Sequence, residues 1–273
     1  MLKIISEIGW NHMGDMELAK KMILESKKSG ADFAKFQTWK VKNLKKGPWN
    51  EDGRIEIYKK AELSENNHIE LKEYCKNNQI NFLTSVFNEN DLDFLRNLNL
   101  EYIKIPSHEV HNKELIKKSI EAFPKVLIST GAALWSEILD LIKQFGTKDI
   151  IYMHCTSAYP CKPENVNFPR LLELKKKVEI IGYSGHYTGI DDAKIAISLG
   201  AKFIEKHFTI DNNLPGRDNK FAILPNDLKN LDQFRNNYIE MIKDQGLDLQ
   251  EAEMDILKSY RGRWSKLSVA DEG

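Results

Sequence analysis

Short apolar runs alternate along this chain with longer segments in which apolar residues return every three or four positions. The short runs read as buried strands at residues 3–9, 32–38, 80–86, 101–107, 125–130, 150–156, 179–186 and 202–209. The longer segments read as amphipathic helices at 15–29, 64–78, 89–97, 112–121, 135–145, 167–176, 190–198 and 226–243. Asp15, Ser64, Asn88 and Asn112 stand where N-caps belong. A strand followed each time by a helix implies a parallel sheet with covered faces. Eight such units match an α/β fold of the (β/α)8 TIM barrel type, usually about 250 residues long. A doubly wound open sheet is the structural competitor. The expectation is one catalytic barrel domain, 1–245, with a short helical and polar C-terminal extension, 246–273.

Two segments break the regularity. Residues 39–63 are too long for a simple connection between strand and helix, and such loops are usually functional. In a barrel this loop lies on the C-terminal face, where barrel enzymes work. The tail holds one amphipathic run, LQEAEMDILKSYRGRW.

Composition narrows the partners. Apolar residues make up 41% and charged residues 29%, with a formal net charge of zero, so no general field attracts nucleic acid or a membrane surface. No apolar run approaches the roughly 20 residues of a membrane helix. Three cysteines, an odd number without a CxxC pair, suit a reducing cytoplasmic compartment.

The strand ends carry the candidate chemistry. Strand starts are apolar and strand ends polar in nearly every unit: Glu7, Asn11 and His12 after the first, Thr84 and Ser85 on the third, His154 and Cys155 on the sixth. His186 and His207 end neighbouring strands. Strands lie about 4.8 Å apart, so two inward imidazoles can share a divalent ion at about 2 Å from each nitrogen. Hydrogen-bonded barrel histidines are the alternative. Lys35 and Lys104 fall in buried strands, with Ser85, Ser107, Ser129 and Ser184 at strand ends. Lysines and converging hydroxyls suit a phosphate or carboxylate; lysine–glutamate pairs inside the barrel are the alternative. Glu7 is either a base or substrate orienter, or the partner of one of those lysines. Cys155 reads as a buried structural thiol. In FIEKHFT, residues 203–209, alternation puts Glu205 and His207 on one face and Lys206 on the other. Glu205 is then placed to orient an imidazole or to pair Lys35 or Lys104, and Lys206 has no assigned role.

Taken together, SEIGWNHMGDMELAKKMI, GADFAKFQT, FLTSVF, YIKIPSHEV, LISTGAA, MHCTSAYPCKPENVN, IGYSGHYTGI and GAKFIEKHFTIDNNLPGRDNKF resemble the sialic acid synthase family, in the family's order and up to about residue 222. The resemblance implies a (β/α)8 barrel that condenses phosphoenolpyruvate with an amino-sugar aldehyde, commonly N-acetylmannosamine, giving a nine-carbon 2-keto acid and phosphate. It implies His186 and His207 as ligands of a divalent metal, Mn2+ or Mg2+. It places phosphoenolpyruvate on Lys35, Ser85, Lys104, Ser107, Ser129, Ser157 and Ser184, and Glu7 near the reacting carbons. Gln37, Glu109, Tyr159 and Asp218 match positions on the sugar side. Homodimers are usual in the family.

Three departures stand out. Family members carry a C-terminal antifreeze-like domain that reaches the partner's site, and the expectation here is a barrel without it. Gly185 stands where the family has an aspartate before the histidine, removing a carboxylate that could support the metal-holding imidazole and so change metal affinity. Gly216, Arg217, Asp218 and Asn219 stand where Gly-Pro-Asp-His is usual. A metal-dependent lyase or isomerase of a phosphorylated sugar, and a non-catalytic barrel subunit, are the competing functions.

Overall fold

The eight apolar runs form eight strands: β1 (Lys3–Gly9), β2 (Phe33–Thr38), β3 (Asn81–Val86), β4 (Tyr102–Ile105), β5 (Lys125–Ser129), β6 (Ile150–Cys155), β7 (Ile181–Gly185) and β8 (Phe203–His207). They pair in chain order, and β8 pairs with β1 to close the barrel. Every pairing is parallel; at the closing seam Lys3 opposes Phe203 and Glu7 opposes His207. The computed structural model describes residues 2–264.

Helices α1 (Met16–Lys28), α2 (Arg54–Ala61), α3 (Glu65–Asn77), α4 (Leu92–Asn97), α5 (Lys113–Ala122), α6 (Trp135–Phe145), α7 (Phe168–Lys175), α8 (Asp191–Ser198) and α9 (Pro225–Met241) follow the strands. The four expected caps act where the polar pattern placed them. Asp15 accepts from the amides of Glu17 and Leu18, Ser64 from Asn67 and Asn112 from Leu115. Asn88 caps a 3-10 turn, Glu89–Asp91, that precedes α4, so the expected helix 89–97 is split. The fourth strand ends at Ile105 rather than at 107, because Pro106 gives way to a second 3-10 turn holding Ser107. Within the long loop, α2 was not foreseen; it has weak amphipathic character and only Ala61 is buried.

Alternation sets what the barrel encloses. Ile5, Phe33, Leu83, Leu127, Ile151, Met153 and Phe203 form a buried apolar plug inside, with Tyr102 packed against it. Outward-facing Ile4, Phe36, Ile103, Ile128 and Ile204 are equally buried beneath the helices. Each such side chain contributes about 1.5–3 kcal/mol through its burial. The plug seals the barrel, so any ligand must enter from the strand C-termini.

The chain divides into two compact units, one through Asn236 and one from Asn237 onward. The first holds all eight strands; its boundary falls within α9, ahead of the residue 245 read from the sequence pattern. In the second, the amphipathic run forms only a 3-10 turn, Glu251–Glu253, and a π-helical turn, Ile256–Tyr260.

Candidate active site

Two residues beyond the plug, the inward positions turn polar. Ile5 leads to Glu7, Phe33 to Lys35, Leu83 to Ser85, Tyr102 to Lys104 and Leu127 to Ser129. Met153 leads to Cys155, Gly182 to Ser184 and Phe203 to Glu205. The strand period of two thus stacks a polar floor on an apolar base. Above it opens a cavity of about 1490 Å³. Glu7, Lys35, Gln37, Ser85, Lys104, Ser107, Glu109, Ser129, Ser157, Tyr159, Ser184, His186, His207 and Asp218 all line it.

The floor is a buried charge network. Lys35 Nζ donates to Glu7 Oε2 at 2.5 Å and to Ser85 Oγ at 2.9 Å. Lys104 Nζ lies 3.0 Å from both oxygens of Glu205, which also sits 3.6 Å from Lys35. Ser184 Oγ donates to Glu205, and Gln37 Nε2 donates to Glu7 Oε1 at 2.6 Å. The lysines are thus paired with glutamates, and they also face the cavity. Glu205 bonds lysines rather than an imidazole. The two carboxylates are driven apart. Burial pushes Glu205 up, but Lys104 and Lys35 outweigh it and hold it at about 2. Burial raises Glu7 above the usual carboxylate range, with Lys35 opposing and Glu205 adding to the rise. Glu7 is thus the last of the pair to lose its proton, the property wanted in a proton-transfer group.

Beside the floor lies a hydroxyl cradle. Ser129 Oγ and Ser157 Oγ are buried without a hydrogen-bond partner. A Cβ placed on Gly131 would lie 2.3 Å from Ser157 Oγ and 2.7 Å from Ser107 Oγ. Arg170 pins that turn by donating to the carbonyls of Thr130 and Ala133. Unsatisfied hydroxyls next to two lysines suit an anion with several acceptor oxygens. Gly131→Ala should fill this cradle and weaken inorganic phosphate binding by about tenfold or more, the effect of about 1–3 kcal/mol of overpacking. Calorimetric titration checks this; unchanged affinity would remove the cradle from anion binding.

His186 and His207 face each other at the rim, ring centroids 5.4 Å apart. His186 Nδ1 donates to the Thr156 carbonyl at 2.8 Å, so Nε2 is the nitrogen left for a ligand once the ring gives up its second proton. Burial pulls this imidazole down, but Cys155, the Thr156 carbonyl and Glu205 outweigh it and raise it above its ordinary value. His207 Nδ1 is buried without a hydrogen bond, with Asp218 Oδ2 3.5 Å away. Burial, with His186 and Lys35 adding, holds His207 well below its ordinary value, so its ring is neutral near pH 7. One tautomer-fixed imidazole and one neutral orphaned imidazole fit the ligand requirements of a divalent cation. Among the described residues no group of three or more His, Cys, Asp or Glu gathers as a metal cage, so the pair would leave most coordination positions to substrate and water.

A match to the NeuB family spans residues 22–246. The chain belongs to this family. It is 39% identical over 245 residues to the N,N'-diacetyllegionaminic acid synthase of Campylobacter jejuni, covering 84% of this chain and 73% of that protein. It is 34% identical over 243 residues to the N-acetylneuraminate-9-phosphate synthase of Homo sapiens, covering 84% and 67%. The crystal structure of the N-acetylneuraminic acid synthetase of Leptospira borgpetersenii in complex with citrate superposes with a TM-score of 0.85 at 30% identity, over 97% of this chain and 93% of that one. These NeuB relatives are synthases, and the chain is an enzyme.

Some polar strand-end residues of this NeuB barrel lie outside the cavity. Thr84 faces outward and bonds Thr38, which also bonds His68. Asn11 donates to the Phe208 carbonyl, and His12 accepts from the Gly14 amide. His154 turns outward to the Val166 carbonyl. Cys155, read as structural, is buried but lines the cavity, 3.4 Å from Ser107 Oγ. Its parity with Met153 was the signal that places it there. The long loop contributes a wall that periodicity did not foretell: Trp39, Trp49, Arg54 and Tyr58 line the cavity, with Trp10 and Tyr58 ring centroids 5.4 Å apart. Trp10 Nε1 donates to Asp218, fixing that carboxylate near His207.

Proposed function

We propose that this enzyme condenses phosphoenolpyruvate with the open-chain aldehyde of an acylamino sugar, giving a 2-keto-3-deoxy sugar acid and phosphate. The observation that carries the reading is the juxtaposition, in one cavity, of a lysine–glutamate floor, an unsatisfied hydroxyl cradle and a histidine pair. The names of the relatives support the acceptor class. The cavity, larger than the 300–1,000 Å³ usual for a single ligand, has room for two reactants.

Lys35 and Lys104, with Ser85, Ser107, Ser129, Ser157 and Ser184, hold the carboxylate and phosphate of phosphoenolpyruvate. Each ammonium has three protons, and Lys104 spends two on Glu205, leaving one for the ligand. Gln37, Glu109, Tyr159 and Asp218 line the sugar side. A divalent ion, Mn2+ or Mg2+, held by His186 and His207 would supply Lewis-acid polarisation of the aldehyde. The enol C3 forms the new bond to the aldehyde carbon. Water adds at C2, Glu7 taking its proton, while the aldehyde oxygen takes up a proton to become the product hydroxyl. The C2–O bond then breaks, the C2 hydroxyl proton leaving with phosphate as the keto group forms. Glu205, ionised and close to both lysines, stabilises the positive charge that develops at C2. Alignment of two bound reactants accounts for much of the acceleration. The buried, unpaired cysteines Cys75, Cys155 and Cys161 suit a cytoplasmic setting, and a homodimer is the assembly we expect.

Incubation with phosphoenolpyruvate, Mn2+ and a panel of aldoses and acylamino sugars should release phosphate only when a suitable sugar is present. No sugar-dependent phosphate with any panel member, from folded and metal-loaded protein, would overturn the reading, and turnover of a phosphorylated sugar without phosphoenolpyruvate would favour a lyase or isomerase. The acid limb of kcat/KM should lie above the ordinary glutamate value of about 4.3, because the base form of Glu7 is needed and burial raises it. Activity should rise with pH as Glu7 loses its proton, above that ordinary value. Glu7→Gln should erase the limb and lower kcat by about 10²–10⁴. A limb that persists in the variant would assign it to another group.

A further inference from the structure

The seam between β7 and β8 holds a second buried ion pair that the chemistry above does not use. Lys206 turns away from the cavity. Its Nζ lies 3.0 and 2.8 Å from the two carboxylate oxygens of Asp192 and donates to the Tyr187 carbonyl at 2.6 Å. Tyr183 OH donates to Asp192 Oδ2 at 2.9 Å. Both charged side chains are 2% exposed, so neither is a solvated surface group.

The neighbouring glycine explains where this carboxylate comes from. Gly185 is the register partner of Lys206 on the adjacent strand. Parallel strands put paired side chains on one face about 4.8 Å apart, so a carboxylate at 185 would stand beside the Lys206 ammonium. That room is taken. A Cβ on Gly185 would lie 2.3 Å from Asp192 Oδ2 and 2.6 Å from the Tyr183 ring. The backbone there is not in the left-handed region, so space rather than conformation requires glycine. Asp192 enters from the first turn of α8, where the helix N-terminus also favours a negative charge.

The ion pair bears on both rim histidines. Lys206 immediately precedes His207 in β8, and the Tyr187 carbonyl that it binds immediately follows His186. One ammonium, held by one carboxylate, therefore ties together the two backbone segments that present the imidazoles. We propose that Asp192 is the positioning carboxylate of the histidine rim, supplying from the helix the charge that a residue at 185 would supply from the strand, and acting on His186 and His207 through Lys206. The proposal rests on the reading of those two histidines as the metal-holding pair.

The test is a double-mutant cycle of Asp192→Ala and Gly185→Asp in the full chain. Its readouts are Mn2+ affinity by electron paramagnetic resonance titration, the Tm of metal-free protein, and the imidazole NMR signals of His186 and His207. Asp192→Ala should weaken Mn2+ binding by about 10–100-fold, the usual effect of losing a group that orients metal ligands. Gly185→Asp should lower Tm, because two carboxylates then compete for one space. The double variant should recover most of the Mn2+ affinity and Tm and return the imidazole signals to their wild-type positions. Losses that simply add in the double variant would overturn the proposal. So would an Asp192→Ala variant whose Mn2+ affinity, measured well below its Tm, is unchanged, since a purely structural ion pair behaves that way. If either single variant fails to fold, the double variant decides by itself. If wild type binds Mn2+ no better than His207→Ala, the metal reading fails, while the cycle in Tm and imidazole signals still decides whether Asp192 stands in for residue 185.

Discussion

His207→Ala should lower kcat/KM by about a thousandfold or more, yet move Tm by only a few degrees. The loss in rate corresponds to about 4 kcal/mol, within the several kcal/mol that Lewis-acid assistance contributes to a transition state. Stability should survive because His207 Nδ1 makes no hydrogen bond, so truncation strands no partner. What is lost is edge packing on Phe221 and Tyr159, whose ring centroids lie 5.1 and 6.1 Å away. Steady-state kinetics and thermal melts check both halves. Full activity in this variant, or in wild type under excess chelator, would remove the histidine pair from the chemistry.

Lys104→Ala should be costly in a different way. It leaves the buried Glu205 with only Lys35, at 3.6 Å, and Ser184 as partners. Breaking one side of a buried pair typically costs about 3–5 kcal/mol, because the remaining charge is stranded. A Lys104→Met/Glu205→Gln double variant removes both charges and should regain most of that stability. It should still bind phosphoenolpyruvate at least about a hundredfold more weakly, because a charge-assisted contact worth about 3 kcal/mol is gone. Urea denaturation separates the two effects from ligand titration. The pH dependence carries the same sign. Glu205 is held at about 2, so its contribution is full above the ordinary carboxylate range and is lost as pH falls toward 2. The double variant should lack that part of the acid destabilisation. Equal phosphoenolpyruvate affinity in wild type and the double variant would reduce the lysine to a structural role.

The fold was legible because alternation and length decide it. Eight apolar runs, each followed by an amphipathic segment, leave few arrangements other than a closed parallel barrel. The same alternation separated inward Glu205 and His207 from outward Lys206. It could not name the partner of Lys206, because Asp192 arrives from a helix and nothing in strand periodicity points to it. Gly185 looked like a lost carboxylate when only the strand was considered; the charge is present, supplied from α8. Ser107 was assigned to a strand end, whereas the turn after Pro106 presents it. Trp39, Trp49 and Tyr58 escaped notice as site residues because an irregular loop has no period that tells which side chains face a cavity.

The central claim is that phosphoenolpyruvate gives its three carbons to a sugar aldehyde and leaves its phosphate by C–O cleavage. Turnover of phosphoenolpyruvate labelled with 18O in the bridging C2–O position, in the presence of an accepted sugar and Mn2+, tests it most directly by mass spectrometry of both products. The account predicts that the label appears in inorganic phosphate and that the organic product is the sugar enlarged by the pyruvyl carbons. Label retained in the organic product, or phosphate released without a new carbon–carbon bond, would contradict it.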